Sequence, residues 1–122
     1  MATLSTKARN AACDAIVDLL DEGSGAGALV FRTSGDVEVA TLAFSDPAFG
    51  AASSGTATAS AITTDATATG GTTTKATLED SDAEVMLTAT VGTSGADIIL
   101  SSVAIGAGDS VAVSSLTATM PA

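Results

Sequence analysis

A chain of 122 residues is one domain by length, enough to bury about two-thirds of its unfolded surface. It has no His, Trp or Tyr, one Cys, and four basic against fourteen acidic residues, a formal charge of −10. This excludes the common equipment of acid–base catalysis, soft-metal ligation and aromatic stacking, and sets the chain against nucleic-acid phosphates and anionic membranes as partners.

The first predicted element is a helix over residues 6–22, with Ser5 as N-cap and Ala8, Ala11, Ala12, Ala15, Ile16, Leu19 and Leu20 at helical spacings. Lys7 and Arg9 open it and Asp18, Asp21 and Glu22 close it, the reverse of what the helix dipole favours. A helix so charged needs packing. Ile16, Leu19 and Leu20 are therefore candidate contact residues, either for the chain's own β-domain or for a neighbouring subunit. The slightly favoured expectation is a helical arm (1–22) that reaches a neighbour across a glycine-rich hinge (23–27). Cys13 is single, forms no internal disulfide and fits a small buried hydrophobe made in a reducing cytoplasm. Nothing in residues 1–9 reads as a secretory signal, and apolar runs such as 98–100 are too short to span a bilayer.

Strands and turns follow. Residues 28–33 and 37–44 read as a hairpin about the turn 34–36, with Val37, Val39, Thr41 and Ala43 on one face and Glu38, Ala40, Leu42 and Phe44 on the other. Asp46-Pro47 breaks the ladder, and Phe49 sits alone in a loop of small residues, a plug for the body or a contact for a partner. The Thr/Ala tract gives a weak-register strand over 56–62 and a mobile loop near 63–71. Strands are predicted over 75–79, 84–91 (Val85, Leu87, Ala89 and Val91 on one face), 97–105 and 110–120, separated by turns at 80–82, 93–96 and 106–109. The fold class is mainly β: an antiparallel β-sandwich or partly closed barrel over 28–122, preceded by one N-terminal α-helix.

Few constellations carry chemistry. Glu79, Asp80, Asp82 and Glu84 place four carboxylates in six residues, a candidate for calcium, yet without the EF-hand spacing or glycine; a solvated hairpin turn is the favoured reading. Gly23–Gly27 follows a helix and precedes a strand, the wrong order for a phosphate loop. Serines abound, but a Ser-His-Asp site is impossible without His, and no motif supports a Ser-Lys pair with Lys7 or Lys75. No catalytic residue, no cofactor and no metal site is expected.

The opening Leu4-Ser5-Thr6-Lys7-Ala8-Arg9-Asn10-Ala11-Ala12-Cys13-Asp14-Ala15, the glycine-rich hinge 23–27, the segment Asp46-Pro47-Ala48-Phe49-Gly50 and the ending from Ala107-Gly108-Asp109-Ser110-Val111 through Leu116-Thr117-Ala118-Thr119-Met120-Pro121-Ala122 resemble small virion proteins of tailed bacteriophages. The resemblance implies a structural protein of the particle, made in the bacterial host cytoplasm and located in the virion. Within that class it points to a capsid decoration (cement) protein, whose partners are the major capsid protein or other virion subunits and which self-associates, as a trimer before a dimer. A tail or head–tail adaptor component is the alternative, and a receptor- or carbohydrate-binding module is a third reading, disfavoured by the scarcity of aromatics.

Overall fold

The computed structural model describes residues 3–23, 25–100, 102–113 and 116–119. It opens with helix α1, Thr6–Asp18, continued by one 3-10 turn over Leu19–Asp21. Ser5 is extended and caps it, its Oγ accepting the Ala8 N–H at 3.2 Å. The first turn holds no acid and the last no base, so the adverse charge order stands. What holds the helix is one buried stripe, Cys13, Val17 and Leu20, each no more than 1% exposed. Burying Val17 and Leu20 is worth about 1.5–3 kcal/mol apiece, against about 0.3–1 kcal/mol lost at each charged end. Packing wins.

Five strands form the main sheet: β1 (Ala28–Arg32), β2 (Glu38–Ala43), β5 (Lys75–Glu79), β6 (Val85–Gly92) and β7 (Ile98–Ile99), in the order β2-β1-β5-β6-β7. Two ribbons complete it: β3 (Thr56–Thr58) with β9 (Thr117–Thr119), and β4 (Gly71–Thr72) with β8 (Ala104–Ile105). The sheet curls into a half-barrel. Directly paired residues share a face, so Leu29, Leu42, Leu78 and Leu87 line one side together with Phe31, Ala40, Ala76 and Ala89. Helix α1, the loop 44–55 and the β3–β9 ribbon cover that side, completing one core around Phe31, Leu29, Leu42 and Leu20. Among the described residues, no helix is long and apolar enough to cross a membrane.

The mainly β architecture with one N-terminal helix is as the sequence reads, and the half-barrel matches its partly closed alternative. Several parts differ. The pairing is antiparallel throughout except between β6 and β7, which run parallel. The expected strand 97–105 is two short ones, serving different sheets. Between them Ser102 Oγ accepts the Ala104 N–H at 3.2 Å, a local bond that turns the chain towards β4. The expected strand 110–120 reduces to a bridge between Val111 and Asp65, followed by β9; residues 114, 115 and 120 lie outside the described set. The strand expected over 56–62 shortens to Thr56–Thr58.

Two segments that read as loose in the sequence are bonded to the rest of the fold. Helix and linker pack against the β-domain. Gly27 is buried with its Cα against the Glu79 carbonyl, where an added Cβ would stand 2.1 Å from that oxygen, and Ser81 Oγ donates to the Glu22 carbonyl at 3.0 Å. The linker is thus fastened at both ends to the β5–β6 turn. The loop near 63–71 is likewise held, because it covers the edge of β2: Thr63 N–H donates to Ala43 O (2.8 Å) and Gly70 N–H to Val39 O (3.1 Å). On its other side it exchanges bonds with the segment 106–111, through Asp65 and Val111 and through Ala68 and Gly108.

Candidate interaction surface

Most polar side chains that the sequence offers as candidates turn out to hold backbone. Asn10, Asp14 and Asp21 lie at i, i+4 and i+11, three turns down one side of the helical segment. Each accepts from a loop amide: Gly55 N–H to Asn10 Oδ1 (2.7 Å), Ala52 N–H to Asp14 Oδ1 (2.7 Å), and Ala48 N–H to Asp21 Oδ1 (2.8 Å). A small-residue loop with little apolar area to bury is pinned by these three acceptors. The stripe was legible in principle, as Asn/Asp at helical spacing facing a Gly/Ala/Ser loop; charge counting at the helix end hid it.

The acidic segment 79–84 is also committed to the protein. Glu79 and Asp80 are each 5% exposed, so only part of the expected solvated turn is solvated. Glu79 Oε2 takes Arg32 Nη2 at 2.8 Å and the Thr77 hydroxyl. Asp80 Oδ1 accepts the N–H groups of Asp82 (2.9 Å) and Glu84 (3.0 Å), and Ala83 adopts φ +63 to close the turn. Among the described residues, no group of three or more His, Cys, Asp or Glu is arranged to hold a metal ion.

Two carboxylates are tuned. Asp65 Oδ2 accepts the Thr41 N–H and Oδ1 the Thr67 N–H, both at 2.9 Å, and these backbone bonds hold its carboxyl below the usual range. Asp36 is lowered by the hydrogen bond and charge of Lys75. Cys13 is buried and its Sγ donates to the Ala118 carbonyl at 3.3 Å, tying α1 to β9.

The four residues singled out for contact do not form one surface. Leu20 is fully buried in the chain's own core, Ile16 is half-buried, and Leu19 is 38% exposed at the end of the helix. Phe49 is also internal, 5% exposed, with its ring 6.0 Å from that of Phe44 at a tilt of 50°. It is the plug of its loop, and this withdraws it as a partner contact.

The open surface lies elsewhere. Between β6 and β9 the half-barrel leaves a groove of about 360 Å³, where Leu78, Leu87, Ala89, Leu116 and Ala118 alternate with Thr88, Thr117 and Thr119, and Asp97 also lines it. Val85 and Ile99, near the two ends of β6, are about half exposed. Sequence reasoning missed this seam, since it depends on β6, beyond its short pairing with β7, and β9 having no outer strand among the described residues. No protein-family model, no curated protein and no solved structure matches this chain.

Proposed function

We propose that this protein is a structural subunit of a virus particle, a capsid decoration protein of a tailed bacteriophage, working through assembly rather than catalysis. The observation that carries the structural part is the use made of its carboxylates. Asp14, Asp21, Asp65, Asp80, Asp97 and Asp109 each accept a backbone N–H of the chain, and Glu79 is held by Arg32 and Thr77. Acidic side chains spent in this way fasten loops. They give a body of small residues its fixed shape and leave an open seam of mixed apolar and threonine side chains for contact. The virion part rests on the resemblance of residues 4–15, the hinge 23–27, 46–50 and 107–122 to small phage structural proteins, and self-association, as a trimer, belongs to the same proposal.

The test is co-sedimentation of the purified protein with assembled heads, with and without tails, alongside light scattering of the free protein. Binding to tailless heads at a stoichiometry that follows the head lattice is the expected result. Binding only to tails moves the protein to the adaptor class, and a monomer that sediments with neither refutes the reading.

A further inference from the structure

β6 is paired with β5 over Lys75–Glu79, but with β7 only at Val91 and Gly92. Over residues 85–89 its outer edge therefore has no strand partner among the described residues. Alternation fixes what that edge presents. Val91 N–H donates inward, to Thr74 O at 3.0 Å, and Thr90 N–H outward, to Asp97 Oδ2 at 3.1 Å. Thr88, two residues before Thr90, aims its N–H and C=O outward as well. Below that edge lies the seam, and across it β9 is paired, among the described residues, with β3 alone.

Edges of this kind are normally guarded by charge, proline or a covering segment. β2, the opposite edge of the sheet, is covered by residues 63–70. β6 has neither charge nor proline in its eight residues, while Asp82 and Glu84 stand exposed before it and Asp97 after it. We infer that the outer edge of β6 receives an extended segment of a partner protein, uncharged at its centre and basic at both ends, which adds as a further strand. Five residues of edge, 85–89, match a segment about 17 Å long. Main-chain bonds to Thr88 supply the pairing, the groove of leucines, alanines and threonines takes alternate side chains, and the terminal carboxylates select the basic flanks.

A second copy of this chain fits the edge poorly. An antiparallel copy centred on Thr88 sets its Glu84–Met86 stretch beside Thr90 and Asp97, carboxylate against carboxylate. The chain has only four basic residues to answer them, and Arg32 and Lys75 are already in ion pairs. The inference deepens the structural-subunit reading by naming its contact, and its test runs without particles.

The probe is a synthetic peptide, Lys-Thr-Val-Thr-Val-Thr-Lys, added to the full chain and followed by amide hydrogen exchange. The expected result is at least a tenfold slowing at the Thr88 N–H with little change at Ala89, whose amide already faces β5. Binding weakens as salt rises, because the flanking pairs are exposed. Thr88→Pro removes the edge donor and abolishes binding; Glu84→Gln, on an exposed side chain, keeps the fold and weakens binding at low salt. No slowing at Thr88 with peptide overturns the inference. So does slowing at Thr88 that grows with protein concentration alone, which makes a second copy the occupant. Should the protein sediment with heads while the edge takes no peptide, the contact is elsewhere and only this inference fails.

Discussion

Gly27 and Glu79 touch backbone to backbone: a Cβ on Gly27 would stand 2.1 Å from the Glu79 carbonyl oxygen and 2.8 Å from that of Leu20. No side-chain rotation relieves such a contact, because both obstacles are main chain. Gly27→Ala is expected to destabilise the protein by about 1–3 kcal/mol or more, as overpacking does. Gly25 is the control. A Cβ there meets nothing within 4 Å, so Gly25→Ala is expected to be neutral or slightly stabilising. Equal denaturant midpoints for the two variants would show that the linker is slack after all.

Removing residues 1–22 is expected to abolish the cooperative melt rather than to release a folded β-domain. The deletion uncovers the core that Cys13, Val17 and Leu20 close. Leu20→Ala, a milder change at a fully buried site, is expected to cost about 2–5 kcal/mol. Circular dichroism with thermal scans checks both, and a truncated chain that melts sharply would restore the arm.

The three helix acceptors separate charge from hydrogen bonding. Asp14→Ala leaves the Ala52 N–H without its acceptor and is expected to cost about 1–3 kcal/mol. Asp14→Asn keeps an acceptor oxygen and should recover much of that loss. Chemical denaturation of the pair checks this, and equal losses would assign the effect to charge.

Asp65 gives the fold an acid-side dependence. Its carboxyl is held below its ordinary value of 3.8 by the Thr41 and Thr67 amides, so the folded state binds that proton more weakly than the unfolded chain. The stabilisation is complete above about pH 5 and is lost as pH falls through 3.8 and below. Asp36, lowered by Lys75, adds in the same direction from an exposed position. Melting temperatures measured down this range should fall less steeply in Asp65→Asn than in the natural protein. Identical slopes would remove Asp65 from the account.

Strongly patterned segments were legible in the sequence. The strand at 75–79 is found at the same residues, and the hairpin about 34–36 keeps its turn, because alternation and turn residues there agree. The stretch 97–105 was not, since Ile98-Ile99 and Ala104-Ile105 each read as strand while the bend at Ser102 is set by one hydroxyl. Within the Thr/Ala tract, residues 63–71 read as a mobile loop, whereas the fold bonds them on both sides. Its order comes from bonds to Ala43, Val39 and Val111, partners chosen by the curl of the sheet and invisible to local pattern. The seam beside β6 was hidden for the same reason: an unpaired edge is a property of topology.

Helix α1 is built from early residues, but what it fastens comes late. Hydrogen-bonded partners of α1 and of the 3-10 turn that continues it lie 27, 38, 45 and 105 residues further along the chain. Closing contacts over such distances is slow, and a helix with its charges against its dipole has little reason to form beforehand. The hairpins of the sheet, joined by short turns, are then expected to assemble first and α1 to dock last. On that expected order, α1 acts as a latch set after the barrier. Substitutions at Cys13 or Val17 should hasten unfolding while leaving the refolding rate almost unchanged, so the lifetime of the folded protein is governed by the segment least able to fold alone.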